Sequence, residues 1–400
     1  MKAELLCPAL LGLLFTVGCG SSSMKTSNPN PACTPSIKPS FAYVLIGAGP
    51  GNGSISSYTV NSCDGSLTPT SQGTIATGAD PADMVVDPLG RFVYVANVVS
   101  NAEDDATISM YTIDPSSGAL APTAPATVHT GFFPQGIGID PSGKFVYTAN
   151  SDDNTVSMFA INQSTGVLTP TTPLAVVAGQ SPVAVTVHPS GKFAYAINRV
   201  GGTISIYNID SATGLLTPTA PATIPAGDSF DLTFDPAGKF AYVPDGDSNG
   251  VSEYTVDSAT GILTPTAQGF VATGNETTSV AVDPSGKFAY VVNRRDNTVS
   301  AFNIDPNTGD LILIASIATE QQPWRVTVDA AGKFVYVGNE ASNAVSIFSI
   351  NADGSLKAGG AAPAGGSAFA VGLVSPAMAG QTAASRRFQA AAEPTEARLR

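Results

Sequence analysis

The chain is poor in the residue types that most often carry chemistry, so the few placed to do so can be weighed one by one. It holds two histidines, four cysteines and one tryptophan in 400 residues. Two imidazoles, His129 and His188, cannot assemble a multi-histidine metal or copper centre. Residues 245–250, Asp-Gly-Asp-Ser-Asn-Gly, match the first half of a calcium loop, but Val256 stands where a bidentate Glu is required. No metal and no cofactor are expected. What remains is charge: Asp83, Asp231, Arg199, Arg294, Arg325 and Glu340, with Trp324 beside Arg325, occupy places where other copies of an internal repeat carry different residues. Carboxylates and guanidiniums so placed can bind a polar ligand or move a proton; the alternative is solvated loop charge.

The elements that must position them come from the repeat. A phrase of the form Asp-Pro-Ser-Gly-Lys-Phe-x-Tyr recurs, with its Phe-x-Tyr core at Phe41, Phe92, Phe145, Phe193, Phe240, Phe288 and Phe334. The copies lie about 46 to 53 residues apart, the period of a four-stranded propeller blade. In the unit from Ser181, the small and β-branched run 183–187 predicts an innermost strand, a. His188-Pro189-Ser190-Gly191 fits a type I turn, and 193–197 is apolar enough for a strand b buried on both faces. Residues 203–209 alternate as strand c, and 215–219 form strand d, where the recurring Pro69, Pro122, Pro170, Pro218 and Pro265 require an exposed edge. The first unit lacks an a strand and the last stretch, 368–374, is an a strand with no b after it. The expected fold is therefore all-β: a seven-bladed β-propeller, four antiparallel strands per blade, one blade closed by strands from both termini. The nearly invariant Asp-Pro-Ser-Gly turns mark one end as scaffold. The b–c loops and the residues opening strand a (Asp83, Gly136, Ala184, Asp231, Ser279, Arg325, Phe369) vary between copies and mark the other end as the functional face.

Composition narrows the partners. Forty Gly, 30 Pro and 12% charged residues describe a turn-rich globular chain, and a net charge of −13 argues against nucleic acid. Lys2 precedes an apolar run ending Thr16-Val17-Gly18-Cys19, followed by Gly and three Ser. This resembles a bacterial lipoprotein signal, which implies a signal peptide over 1–18, lipid on Cys19, a Ser/Pro-rich tether over 19–40 and a protein exported to the cell envelope, on the membrane only through its anchor. With Cys7 lost and Cys19 lipidated, Cys33 and Cys63 remain as a disulfide pair. The propeller is expected over 41–375, a disordered Ala/Arg-rich tail over 376–400, and a monomer as the working state.

Residues 282–293, Val-Asp-Pro-Ser-Gly-Lys-Phe-Ala-Tyr-Val-Val-Asn, followed by Asn297-Thr298-Val299-Ser300-Ala301-Phe302, resemble the β-propeller lactonase family. That family includes 6-phosphogluconolactonase-like propellers and overlaps with YVTN-repeat propellers of cell surfaces. Members with lactonase activity carry Pro-Arg-His opening one a strand and Asn-Glu after the next b strand. Here Pro323-Trp324-Arg325 and Asn339-Glu340 stand at those places, with Trp for Arg and Arg for His. The resemblance implies Glu340 as base, Arg325 as oxyanion holder, and Arg199 and Arg294 as holders of an acidic substrate group. Asp83, Asp231 and Trp324 complete the candidate binding set. Two functions follow. The leading one is a binding module recognising a glycan, a peptide or an envelope protein on the b–c loop face; the alternative is a hydrolase of a sugar-like lactone.

Overall fold

The computed structural model describes residues 40–47, 52–98 and 106–374. The signal segment, Cys19, Cys33 and the tail lie outside the described residues. Among the described residues, twenty-eight strands form seven four-stranded antiparallel sheets, each one blade with strands a to d in spatial order. Blade 1 takes its b strand, Ser40–Gly47, from the start of the propeller and its a strand, Ser367–Val374, from the end. The ring therefore closes by backbone pairing of two distant segments, as expected.

The repeated phrase is explained by what it touches. Every Phe-x-Tyr tyrosine is buried and donates its hydroxyl to the carbonyl of a glycine in the c–d turn of the next blade. Tyr43 reaches Gly118 at 2.9 Å, Tyr94 reaches Gly166 at 2.9 Å, and Tyr336 crosses the closure to Gly65 at 2.9 Å. The phenylalanine two residues earlier covers the same glycine. At Gly118, whose φ of +70° already favours glycine, an added Cβ would run into the ring of Phe41. Burial raises these phenols far above their ordinary pKa, so they remain donors at any physiological pH. Strand b is buried throughout, as in Phe92–Asn97, because it lies between neighbouring blades. Strand d is the outer edge, and Pro69, Pro122, Pro170, Pro218 and Pro265 all lie on it.

At the scaffold end the Asp of the repeated turn is spent on backbone: Asp140 Oδ1 accepts the amides of Lys144 and Phe145, each at 2.6 Å. His188 takes that place in blade 4. Its Nε2 lies 2.8 Å from the Gly238 carbonyl of the next blade, and burial lowers its pKa. Asp245 likewise serves its own turn, accepting the Ser248 amide at 2.9 Å. Cys63, in the c–d turn of blade 1, is disulfide-bonded.

One buried acid departs from its counterparts. Met110 and Met158 turn their sulfur to the amide that opens strand d of the next blade, Leu168 and Leu216, each at 3.2 Å. Glu253 fills the same place in blade 5, fully buried, with Oε1 2.8 Å from the Leu311 amide. Burial pushes its carboxyl up to about 7, only partly opposed by that amide. An acid whose pKa is higher folded than unfolded costs stability as pH rises from the unfolded pKa to the folded one. Glu253→Gln keeps the acceptor and removes the charge. It should match the wild type near pH 4.5 and exceed it at pH 8 by on the order of 3 kcal/mol at most. Equal denaturant midpoints at both pH values would refute this.

Candidate functional site at the channel mouth

The variable face is built in three tiers, each set by a backbone feature repeated in the blades. The rim comes from the residue that follows strand b. Its amide bonds the carbonyl of the residue just before strand a: Arg199 to Ser181 at 2.9 Å, Arg294 to Glu276 at 2.9 Å, Glu340 to Gln322 at 2.8 Å. Glu276 and Gln322 hold left-handed φ angles of 55° and 52°, as do Asp80, Phe133 and Ser181 at equivalent places. The turn thus aims each pair over the channel.

The middle tier was not legible as a set in the sequence. In blades 2, 3, 4, 6 and 7 the a–b register slips by one residue at the start of strand a, between Pro81 and Asp83 or Pro323 and Arg325 for example. Blade 1 slips at the matching place, between Ala368 and Ala370. The extra residue is a β-bulge, which re-aims its side chain. These residues (Ala82, Gln135, Val183, Thr278, Trp324 and Phe369), with Phe230 at the same place in blade 5, all line one cavity of about 330 Å³. Phe369 therefore belongs to this tier rather than to the ring of Asp83, where Ala370 stands instead. The signal that could have found the tier was the residue after each strand-opening proline: Pro81, Pro134, Pro182 and Pro323 all precede one.

The floor consists of the next residues in: Asp83, Asp231, Ser279 and Arg325 from blades 2, 5, 6 and 7. Arg325 Nη2 lies 3.4 Å from Asp83 Oδ2, with side-chain exposures of 25% and 7%. Burial opposes the Arg325 charge, but Asp83 and Asp231 outweigh it and hold the guanidinium above its usual range. Burial likewise lifts the Asp83 carboxyl, against the pull of Arg325. Structural duties are visible here too. Asp83 Oδ2 accepts the Ile137 amide of the next blade at 3.2 Å, and Ser279 Oγ donates to Asp231 at 2.9 Å.

Above the floor, Arg294 joins the remaining candidates. It contacts Glu276 at 3.0 Å and Glu340 at 2.8 Å, with its guanidinium 5.0 Å from the Trp324 ring. Burial opposes its charge and the two glutamates restore it. Arg199 pairs with Asp228 at 2.6 Å and lies 4.0 Å from the Phe230 ring, which meets Trp324 edge-on at 5.4 Å. The structure thus brings Trp324, Arg325, Asp83 and Asp231 to the cavity and its floor, and Arg294 and Glu340 to its rim. Arg325 and Glu340 do not pair with each other: Arg325 is bound to Asp83 and Glu340 to Arg294. Asn339 is part of the scaffold: its Nδ2 donates to Ser346 Oγ at 3.0 Å, as Asn150, Asn198 and Asn293 do to Ser157, Ser205 and Ser300 in their own blades.

A larger cavity, about 620 Å³, opens at the scaffold end between blades 1, 2 and 7. Its lining is mainly aliphatic, and Asp329 there is occupied by the amides of Lys333 and Phe334 at 2.6 and 2.7 Å. Chemistry is therefore sought at the mouth.

A family model described as a lactonase, 7-bladed beta-propeller, matches residues 52–186, 169–277 and 270–372. The chain belongs to this family. Among solved structures, a 6-phosphogluconolactonase-like protein of Bacteroides fragilis is 22% identical, with a TM-score of 0.72 over 85% of this chain and 99% of that one. The periplasmic gluconolactonase of Pseudomonas aeruginosa is 21% identical, with a TM-score of 0.71 over 84% and 99%. A 6-phosphogluconolactonase-like protein of Bacteroides uniformis is 22% identical, with a TM-score of 0.73 over 84% and 99%. At these identities the likeness establishes the lactonase-type fold. Among curated proteins none matches the chain.

Proposed function

We propose that the protein hydrolyses a lactone in the mouth cavity. Family membership favours this over the binding module that leads the sequence-based reading. The observation that carries it is Arg325, held between Asp83 and Asp231 yet lining the cavity beside Trp324. A guanidinium anchored by charge has donors left for a carbonyl oxygen that gains charge. Glu340, with one oxygen on Arg294, supplies the base at the rim. Water attacks the lactone carbonyl carbon and gives its proton to Glu340. The bond from that carbon to the ring oxygen breaks, and the proton passes to the departing oxygen, leaving a hydroxy acid. The test is proton release from five- and six-membered lactones in a pH-stat. Turnover above the spontaneous rate is expected; its absence across the set would leave the cavity without this function.

Export and anchoring form a second part of the proposal. The Lys2-led apolar run and the Ser-rich stretch after Cys19 support them, and Cys63 being disulfide-bonded supports pairing with Cys33. Intact mass of protein from membrane fractions should show cleavage before Cys19, added acyl mass, and no thiol reactive toward alkylation. A disulfide closing about thirty residues should contribute about 3 to 4 kcal/mol. Unmodified Cys19, or a free Cys33, would overturn the corresponding half.

A further inference from the structure

The charges around the mouth select a class of lactone. Among the described residues, the rim and floor carry four cations, Arg199, Arg294, Arg295 and Arg325, and each is paired. Arg199 is bound to Asp228, Arg294 to Glu276 and Glu340, Arg295 to Glu276 at 2.9 Å, and Arg325 to Asp83. Asp231 shares Arg325 with Asp83, so the floor holds two carboxylates to one guanidinium, and Asp80, which lines the cavity, adds a further negative charge. Lys144, Lys192, Lys239, Lys287 and Lys333 all follow the scaffold turns, at the far end. Each guanidinium keeps donors, but its charge is already matched by a carboxylate. This weakens its pull on a phosphate, whose recognition rests on charge-assisted and often bidentate bonds.

The cavity itself is walled by Phe133, Phe230, Trp324 and Phe369. Rings of this kind offer flat apolar faces to a ligand. Its 330 Å³ is near the lower bound for small-molecule sites, about 300 Å³, so it suits one ring rather than a chain of sugars.

Resting on the lactonase reading, we propose that the mouth takes an uncharged, single-ring lactone that stacks on the aromatic wall, and discriminates against phosphorylated lactones. The same surplus of carboxylates favours departure of the product, because hydrolysis converts a neutral ligand into an anion.

Trp324 is the only tryptophan in the chain, so its fluorescence reports this cavity alone. Full-length protein is titrated with glucono-1,5-lactam and with its 6-phosphate, neutral and charged analogues that resist hydrolysis. The neutral lactam should shift the emission at a Kd at least tenfold below that of the phosphate. Asp80→Asn, which suits the left-handed backbone there, should narrow that ratio several-fold. Equal or tighter binding of the phosphate overturns the proposal, and so does an emission unmoved by either probe. Selective binding of the neutral lactam without turnover of any lactone upholds the ligand class while removing the hydrolase reading.

Discussion

Glu340→Gln should lower kcat for lactone hydrolysis by about two to four orders of magnitude, the usual worth of a general base. The amide keeps an oxygen for Arg294 Nη2, which now lies 2.8 Å from Glu340 Oε2, so the melting temperature should hardly move. The companion substitution at Arg325 needs more care. Arg325→Ala would leave Asp83, 5% exposed, beside Asp231 with no cation, and stranding a buried charge costs roughly 3–5 kcal/mol. Rate and stability would then fall together. Arg325→Lys keeps the charge but loses the fork, and Arg325→Ala combined with Asp83→Asn removes both charges. Both should lose about 10²–10³ in kcat, the worth of an oxyanion donor, while melting close to the wild type. Activity that survives Glu340→Gln and both Arg325 variants would remove this pair from the mechanism. The measurement is initial rate by pH-stat beside a thermal melt of each variant.

Ending the chain at Gly366 should abolish the cooperative thermal transition altogether. The lost strand pairs with Phe41 to Gly47 over seven positions and buries Ala368, Ala370, Val371 and Val374. Its removal strips the inner cover from blade 1, leaves an open edge on the strand that begins at Ser40, and exposes the flank of blade 7. A subtler version is Val371→Asp, which puts a charge at a position 6% exposed and should lower the melting temperature strongly. Circular dichroism at rising temperature reads both. A melt like that of the full chain would mean that blade 1 does not need its second half.

The architecture was legible because the Phe-x-Tyr phrase performs the same task seven times. Tyr336 bonding Gly65 across the closure repeats Tyr43 bonding Gly118 within the run. The candidate site was legible only in part. Asp83, Asp231 and Arg325 could be placed around the axis because they differ between copies at a position fixed by the repeat. Which of them pair could not be read, since Arg325 and Asp83 lie 242 positions apart in sequence and meet across the channel. The aromatic wall escaped because the register slip at the strand openings moves Trp324 and Phe369 out of the alternation that a strand pattern assumes, and Phe230 lies ahead of the short a strand of its blade, Thr233–Phe234. Asn339 was legible as a match to a motif, yet it belongs to a hydrogen-bonding role shared with Asn97, Asn150, Asn198 and Asn293 in four other blades.

The slipped residues also set how freely this protein can change. A bulged residue has no partner opposite it on the neighbouring strand. Exchanging one alters the mouth without altering a ladder bond, and none takes part in the tyrosine locks. Val183, which packs against Tyr195 and Ile197 of its b strand, and Thr278, whose Oγ1 donates to the Trp324 carbonyl at 2.8 Å, are the two that the frame also uses. Six such positions, with Phe230 at the matching place in blade 5, amount to a short alphabet written onto a frame that barely reads it. A lineage could drift from one ligand to another by changing those letters singly, each intermediate remaining folded. For redesign, a combinatorial library confined to Ala82, Gln135, Val183, Phe230, Thr278, Trp324 and Phe369 would sample recognition while leaving the closure of the ring untouched.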